Sequence, residues 1–118
     1  MKYLCLIYLD EKAIFAMPKV EMDRLMDEHA VFNAELVQRG QLVDTNPLER
    51  VEAAATVRLR NGSLSVTDGP FAETKEQLGG YYLIEARDLN EAVQVAARIP
   101  VATRGATIEV RPIRDIGK

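Results

Sequence analysis

The sequence predicts a single small domain of the α+β class. Three observations support this prediction: an apolar run of strand length at the start of the chain, a long segment of helical period after it, and an Asn-Gly turn between two short strands in the middle. A chain of 118 residues with 47% hydrophobic and 28% charged residues has the composition of an ordinary globular domain. We therefore treat residues 1–118 as one folding unit.

The first predicted strand runs from Tyr3 to Leu9. Apolar side chains occupy both of its faces, so both faces must be covered in the folded protein. The run is preceded by Lys2 and followed directly by Asp10 and Glu11, which is not the pattern of a secretory signal. Elsewhere the sequence has no stretch near the roughly 20 apolar residues that span a bilayer. We expect a soluble, cytoplasmic protein.

Residues 18–39 follow the period of an amphipathic helix. Pro18 suits the first turn of a helix and Gly40 suits its C-terminal cap. Acidic residues lie opposite an apolar stripe that contains the one histidine of the chain. The stripe consists of Met22, Leu25, Met26, His29, Phe32, Leu36 and Val37.

A short second strand is predicted at Leu42 and Val43, followed by a polar turn through Asn46 and Pro47. The two residues of the strand are β-branched or apolar, whereas Asn and Pro are frequent in turns. This strand would return the chain from the first helix to the sheet.

A tight antiparallel hairpin is predicted in the middle of the chain. Residues 55–60 and 63–67 flank Asn61 and Gly62. A type I′ turn requires positive φ at both central residues, and Asn-Gly accepts that conformation better than other pairs.

A polar segment at residues 68–77 separates the hairpin from a further strand at residues 80–86. Ten residues exceed the usual length of a hairpin connection. The length indicates a lid, a ligand-binding loop or a dimer contact.

The C-terminal part predicts a second helix and a final strand. Asp88 and Glu91 have the spacing of a capping box, and Pro100 ends the helix. Residues 106–113 alternate between apolar and charged side chains, as in a strand with one solvated face. The apolar stripe of the helix consists of Ala92, Val95, Ala96 and Ile99.

This order of elements matches a ferredoxin-like βαββαβ fold with an extra hairpin, in which the first strand is central and both helices cover one face of the sheet. The helix-free face then needs a cover, because the first strand is apolar on both sides. A second copy of the chain packed face to face would supply it, so we expect a homodimer.

Composition argues against several classes of function. The 15 basic and 18 acidic residues are interspersed and give a net charge of −3, which disfavours direct nucleic-acid binding. One cysteine, Cys5, cannot form an internal disulfide and is expected in the core. One histidine, one cysteine and dispersed carboxylates do not make a clustered zinc site, so we expect no metal and no cofactor; a magnesium site made of Asp and Glu alone is the alternative.

Residues 67–82 read TDGPFAETKEQLGGYY, and this stretch strongly resembles the signature of the YCII-related, DGPF-domain family. The opening strand, the Glu28-His29 pair and residues 83–92 resemble the family as well. The resemblance implies a dimeric α+β barrel, similar to relatives of muconolactone isomerase. It also implies a bacterial protein encoded beside extracytoplasmic-function sigma factors, from which the label transcription initiation protein derives. Finally, it implies a histidine and an aspartate facing one pocket, here His29 and Asp68.

The residues allow this catalytic pair and also simpler explanations. His29 has an ordinary pKa near 6.5 and could transfer a proton at neutral pH, or it could be a hydrogen-bonded core residue. Asp68 could orient the His29 ring, or it could serve the Asp-Gly-Pro turn alone. The orienting role requires the loop to fold back over the first helix.

Four further residues are candidates for substrate contacts. Glu73 and Lys75 could lie at the mouth of the pocket, although such a charged run is also typical of a solvated loop. Tyr8 and Tyr82, on strands predicted to be neighbours, could donate phenolic hydrogen bonds to a substrate, although strand aromatics commonly serve packing.

Three functions are consistent with the sequence. The first is a cofactor-free enzyme that moves a proton on a small organic substrate such as a lactone or an enolisable carbonyl, with His29 as the proton-transfer group. The second is a non-catalytic module that binds a small ligand or a partner in a sigma-factor pathway. The third is a purely structural homodimer with a filled interior.

Overall fold

The computed structural model describes residues 1–117, which form six β-strands and three α-helices together with two short 3₁₀ turns at Val51–Ala53 and Pro100–Arg104. The elements are β1 (Lys2–Leu9), α1 (Glu11–Phe15), α2 (Lys19–Gln38), β2 (Leu42–Pro47), β3 (Ala55–Arg60), β4 (Ser63–Asp68), β5 (Gln77–Glu85), α3 (Leu89–Ala97) and β6 (Thr107–Pro112).

Four strands form an antiparallel sheet in the order β2-β5-β1-β6. With α2 after β1 and α3 after β5, this is the ferredoxin-like arrangement, and the predicted fold class is confirmed. β1 is central because it pairs with both β5 and β6; Cys5, for example, lies between Tyr82 and Val110.

The hydrophobic core lies between one face of this sheet and the helices. Alternate residues of β1 and β5 point into it, and both α2 and α3 contribute buried side chains, so the helices share a face of the sheet as predicted. Cys5 is fully buried in this core, and burial raises the pKa of its thiol to about 11. The thiol is therefore protonated at neutral pH and serves packing.

Helix α2 has the predicted limits but a narrower buried face than predicted. Pro18 and Arg39 flank it, and Gly40 follows with φ of 69°. Met26 and Val37 of the predicted stripe are exposed, because the sheet contacts a narrower face of this 20-residue helix. None of the helices within residues 1–117 is both long and apolar enough to cross a membrane.

Three local predictions are corrected by the fold. Asn46 and Pro47 are not in a turn: they lie in β2, opposite Tyr81 and Gly80, because pairing with β5 extends the strand. β5 begins at Gln77, three residues earlier than predicted.

The third correction is α1, a short helix that the sequence did not indicate. The Asp10 carboxylate caps it by accepting a hydrogen bond from the Ala13 amide at 3.3 Å. Five residues are too few for a visible helical period.

Strands β3 and β4 form the predicted hairpin, with φ of 50° at Asn61 and 79° at Gly62. The hairpin is a separate two-stranded sheet. We call residues 55–68 the arm.

The face of the main sheet opposite the helices carries apolar side chains without a covering layer among residues 1–117. They lie on the two central strands and are half-buried in the isolated chain. We call this surface the open face; it consists of Leu4, Leu6, Tyr8, Tyr81 and Leu83.

Candidate functional site

A cavity of about 650 Å³ lies between α1, the first half of α2 and the ends of β2 and β5. Its walls are mainly apolar and include Ile14, Met22 and Met26. The volume falls in the range of small-molecule sites, which are typically apolar with a few placed polar groups.

Three polar side chains form a hydrogen-bond chain on the wall of this cavity. His29 and Asn33 are four residues apart on α2 and therefore share a face of the helix. Tyr82 of β5 lies between them: its hydroxyl is 2.9 Å from His29 Nδ1 and donates to Asn33 Oδ1 at 2.5 Å.

This chain determines the tautomer of His29. The Tyr82 hydroxyl has one proton and donates it to the Asn33 carbonyl oxygen, so its oxygen must accept from His29. Nδ1 then carries the ring proton, and the lone pair of Nε2 has no hydrogen-bond partner in the part of the chain that the structure describes. A neutral imidazole with a free Nε2 can accept a proton from a bound molecule.

The surroundings of His29 favour its neutral form. Burial lowers the pKa of the imidazole, and the nearby Arg104 guanidinium lowers it further, while Glu28 acts in the opposite direction. Arg104 is held in place by Glu28, with Nη1 and Oε1 2.5 Å apart. His29 is therefore neutral at pH 7.

The phenol of Tyr82 also stays neutral, because burial raises its pKa. Tyr82 is packed by Phe32 in an edge-to-face arrangement with ring centroids 5.6 Å apart. This packing fixes the position of the hydroxyl that orients His29.

Glu11 is a site residue that sequence analysis missed. It lines the same cavity although the residue is 5% exposed, and its Oε2 accepts a hydrogen bond from the Val51 amide at 3.1 Å. In the sequence it belongs to a charged run after β1, and such runs are typical of solvated residues. Capping by Asp10 starts α1 there and directs Glu11 inward.

The cavity wall also carries a positively charged residue, Arg50. The guanidinium carbon of Arg50 is 4.7 Å from the ring centroid of Phe15, and both residues line the cavity. A cation over an aromatic face is stabilised by the ring quadrupole. The cavity thus combines an apolar interior with His29, Glu11 and Arg50.

The fold places two of the six predicted site residues at the cavity and four away from it. His29 and Tyr82 are brought together, but Tyr8 lies on the open face, where strand alternation places it away from the cavity. The other three, Asp68, Glu73 and Lys75, are exposed and are not among the cavity-lining residues within 1–117.

Asp68 is the last residue of β4, opposite Ala55 in the arm. Among the described residues, the group hydrogen-bonded to the His29 ring is the Tyr82 hydroxyl rather than the Asp68 carboxylate. The loop after Asp68 ends at Gln77, whose Oε1 accepts from the Glu11 amide at 3.0 Å. The loop is therefore connected to the cavity through Gln77.

Comparisons with known proteins match nearly the whole chain. A family model described as the YCII-related domain matches residues 1–116. A protein of Rhizobium meliloti (strain 1021), named as uncharacterized, is 40% identical over 114 residues, covering 96% of this chain and 92% of the relative.

Proposed function

Because the chain belongs to the YCII-related domain family and its histidine faces a cavity, we propose that it binds a small, largely apolar organic molecule there and that His29 accepts a proton from it. The observation that carries the proposal is the His29-Tyr82-Asn33 chain: it engages Nδ1, leaves Nε2 without a hydrogen-bond partner among residues 1–117, and belongs to a histidine that lines a cavity of about 650 Å³. A pKa below the ordinary value keeps this nitrogen unprotonated at neutral pH.

The chemistry that fits is proton transfer without a cofactor. Nε2 takes a proton from an acidic carbon or a hydroxyl of the substrate, and the resulting imidazolium returns it to another position of the same molecule. An isomerisation of a lactone or an enolisable carbonyl balances in this way, since the protein ends in its starting state. The Tyr82 oxygen continues to accept from Nδ1 while Nε2 carries the extra proton.

Orientation of the His29 ring by Asp68 is a separate hypothesis, which the proposal above does not require. In the isolated chain, Tyr82 and Asn33 already supply an orienting interaction. Asp68 could orient His29 only if it approached the ring, which would require another position of the loop that follows Asp68.

A second candidate function is binding without catalysis, in which the cavity senses a small ligand for a sigma-factor pathway. Glu11 favours this alternative, because a buried carboxylate in the cavity can recognise a donor group of a ligand without chemistry. Both candidates share the cavity and differ in the role of His29.

Solvent-exchange NMR separates the two. Lactones and enolisable carbonyl compounds that raise the thermal midpoint of the protein are incubated with it in D₂O, and deuterium incorporation is followed. We expect His29→Gln to retain binding and to lose at least about 100-fold in exchange rate, the usual contribution of a general base. Asp23→Asn, on the exposed side of α2, is the matched control.

Equal exchange by wild type and His29→Gln would contradict the proton-transfer role. Binding with no exchange by either protein would favour the sensing function instead.

A further inference from the structure

The arm carries an apolar face that is exposed to solvent in the isolated chain. Val57 is paired with Val66 and Leu59 with Leu64, so all four side chains lie on the same side of the hairpin. They are between 59% and 69% exposed. The other side carries Thr, Arg and Ser side chains that suit water.

Within residues 1–117 the arm has little support from the rest of the chain. The strands pair with each other and not with the main sheet. The Ala54 carbonyl accepts from the Gly69 amide at 2.7 Å at the base of the arm. A lone two-stranded hairpin is marginally stable in water, and packing of one face against another layer is what stabilises such a hairpin.

The molecule is less compact than its length predicts. The radius of gyration over Cα atoms is 16.2 Å, whereas a compact domain of this length is expected to have about 13.5 Å. This extended shape agrees with an arm that forms its own sheet and contributes no side chain to the hydrophobic core.

A second copy of the chain is the binding partner that could cover both the open face and the apolar side of the arm. The open face carries five apolar or aromatic side chains and the arm four, and surface patches of this kind typically measure roughly a few hundred Å². Either is small for a stable interface, but together they approach the roughly 800 Å² per partner that a standard interface buries. A two-fold pair offers each chain the same two surfaces from its partner.

We infer that the arm is a dimerisation element: in a homodimer built on the open faces, the side of the arm formed by Val57, Leu59, Leu64 and Val66 packs on the second copy. The interface is apolar at its centre and the Arg-bearing side of the arm stays in water. This inference is independent of any proton transfer at His29.

The first test measures the dimer dissociation constant by sedimentation and light scattering. We expect wild type to be dimeric at micromolar concentration, and Leu59→Thr combined with Leu64→Thr to raise the dissociation constant at least tenfold. Threonine preserves strand propensity while removing apolar surface. The matched control, Arg58→Thr with Ser65→Thr, alters the directly opposed pair on the other side of the arm and should change the constant less than twofold.

A monomeric wild type at these concentrations, or equal effects of the two double variants, would overturn the inference. So would an assembly whose dissociation constant the leucine variant leaves unchanged.

The second test uses thiol reactivity and does not depend on disrupting the arm. Val66→Cys and Ser65→Cys place a thiol on the apolar and the solvated side, in a protein whose own Cys5 is fully buried. We expect maleimide labelling of the first to be at least tenfold slower at concentrations that favour the dimer, and the difference to disappear on dilution. A difference that persists on dilution would show that the arm folds on its own chain, and equal labelling throughout would exclude packing of that side.

Discussion

His29 and Tyr82 are 53 positions apart, yet their side chains make the hydrogen bond on which the candidate site depends. The bond has two consequences at the scale of single residues. It places the ring proton of His29 on Nδ1, and it joins the imidazole to Asn33 through one hydroxyl. The proposed proton acceptor, Nε2, is thus defined by two neighbours that do not themselves need to touch a substrate.

Removal of the Tyr82 hydroxyl should destabilise the folded protein. We expect Tyr82→Phe to lower the free energy of unfolding by about 1–3 kcal/mol, because His29 Nδ1 and Asn33 Oδ1 would both lose a partner in a partly buried position. Urea unfolding measures the loss, and ¹⁵N spectra of the imidazole should show a mixture of tautomers.

Tyr3→Phe is the control for this change. Tyr3 is equally buried, but its hydroxyl contacts only the Met1 sulfur, at 3.8 Å, among the described residues. A loss of stability in Tyr3→Phe as large as that in Tyr82→Phe would contradict the importance of the hydrogen-bond chain.

At the scale of elements, the N-terminal part of β5 determines how closely the cavity walls approach. Its pairing with β1 shifts register between Ile7 and Tyr8, so Gly80 lies opposite Ile7 whereas Leu78 lies opposite Tyr8. Gly79 and Gly80, at this irregularity, both line the cavity. A β-carbon on either would contact a neighbouring strand at 3.0 Å.

The two glycines should differ in their tolerance of alanine. At Gly80 the new carbon would meet the Asn46 carbonyl oxygen, a backbone atom of β2, so the strands must separate. We expect Gly80→Ala to cost about 1–3 kcal/mol of unfolding free energy, as overpacking commonly does. Thermal or urea unfolding measures this cost.

Gly79→Ala is the matched comparison, because its new carbon would meet the side chain of Leu9, which can move into the cavity. We expect a cost of about 1 kcal/mol or less. A larger cost at Gly79 than at Gly80 would show that Leu9 is fixed and that the β2-β5 pairing adapts.

At the scale of the whole molecule, the fold leaves one layer of apolar surface exposed on the open face and a second on the arm. The helices cover the opposite face of the sheet completely enough to bury Cys5, Ile84 and Leu36. The proposed homodimer covers the remaining surfaces, whereas the cavity lies mainly on the helix side of the sheet. Assembly and chemistry would therefore lie largely on opposite faces of one sheet, with Tyr81 common to the open face and the cavity lining.

Global stability should depend on pH through His29. The pKa of the imidazole is lowered in the folded protein, whereas the unfolded chain has the ordinary value of about 6.5. Between these two values the unfolded state binds a proton that the folded state does not, so stability must fall as pH decreases below about 6.5. We expect urea unfolding at pH 7.5, 6.5 and 5.5 to show this decrease, and His29→Gln to show a smaller one.

Glu28 acts in a different pH range and does not obscure the comparison. Its hydrogen bond to Arg104 lowers the pKa of the carboxyl below the ordinary 4.5, so its contribution to stability is lost only at more acidic pH. A pH dependence between 7.5 and 5.5 that is identical in wild type and His29→Gln would contradict the buried, neutral state of His29.

Local sequence signals were sufficient for much of the architecture. The Asn61-Gly62 turn, the limits of α2 and the capping of α3 by Asp88, whose Oδ1 accepts from the Glu91 amide at 2.9 Å, follow from residues that are neighbours in the chain. Such interactions depend on backbone preferences and side-chain hydrogen bonds within a few positions, so they can be recognised in the sequence. The order of these elements then limited the fold to the ferredoxin-like arrangement.

The candidate site depends on contacts between side chains that are far apart in the chain, so local sequence signals could not predict it. The helical period placed His29 on the inner stripe, but the partnership with Tyr82 and the inward position of Glu11 depend on which strands and helices pack together. The separation of Asp68 from the cavity likewise follows from the arm forming its own sheet. Side chains far apart in the chain meet only after packing has selected one register, and this long-range selection leaves no local pattern in the sequence.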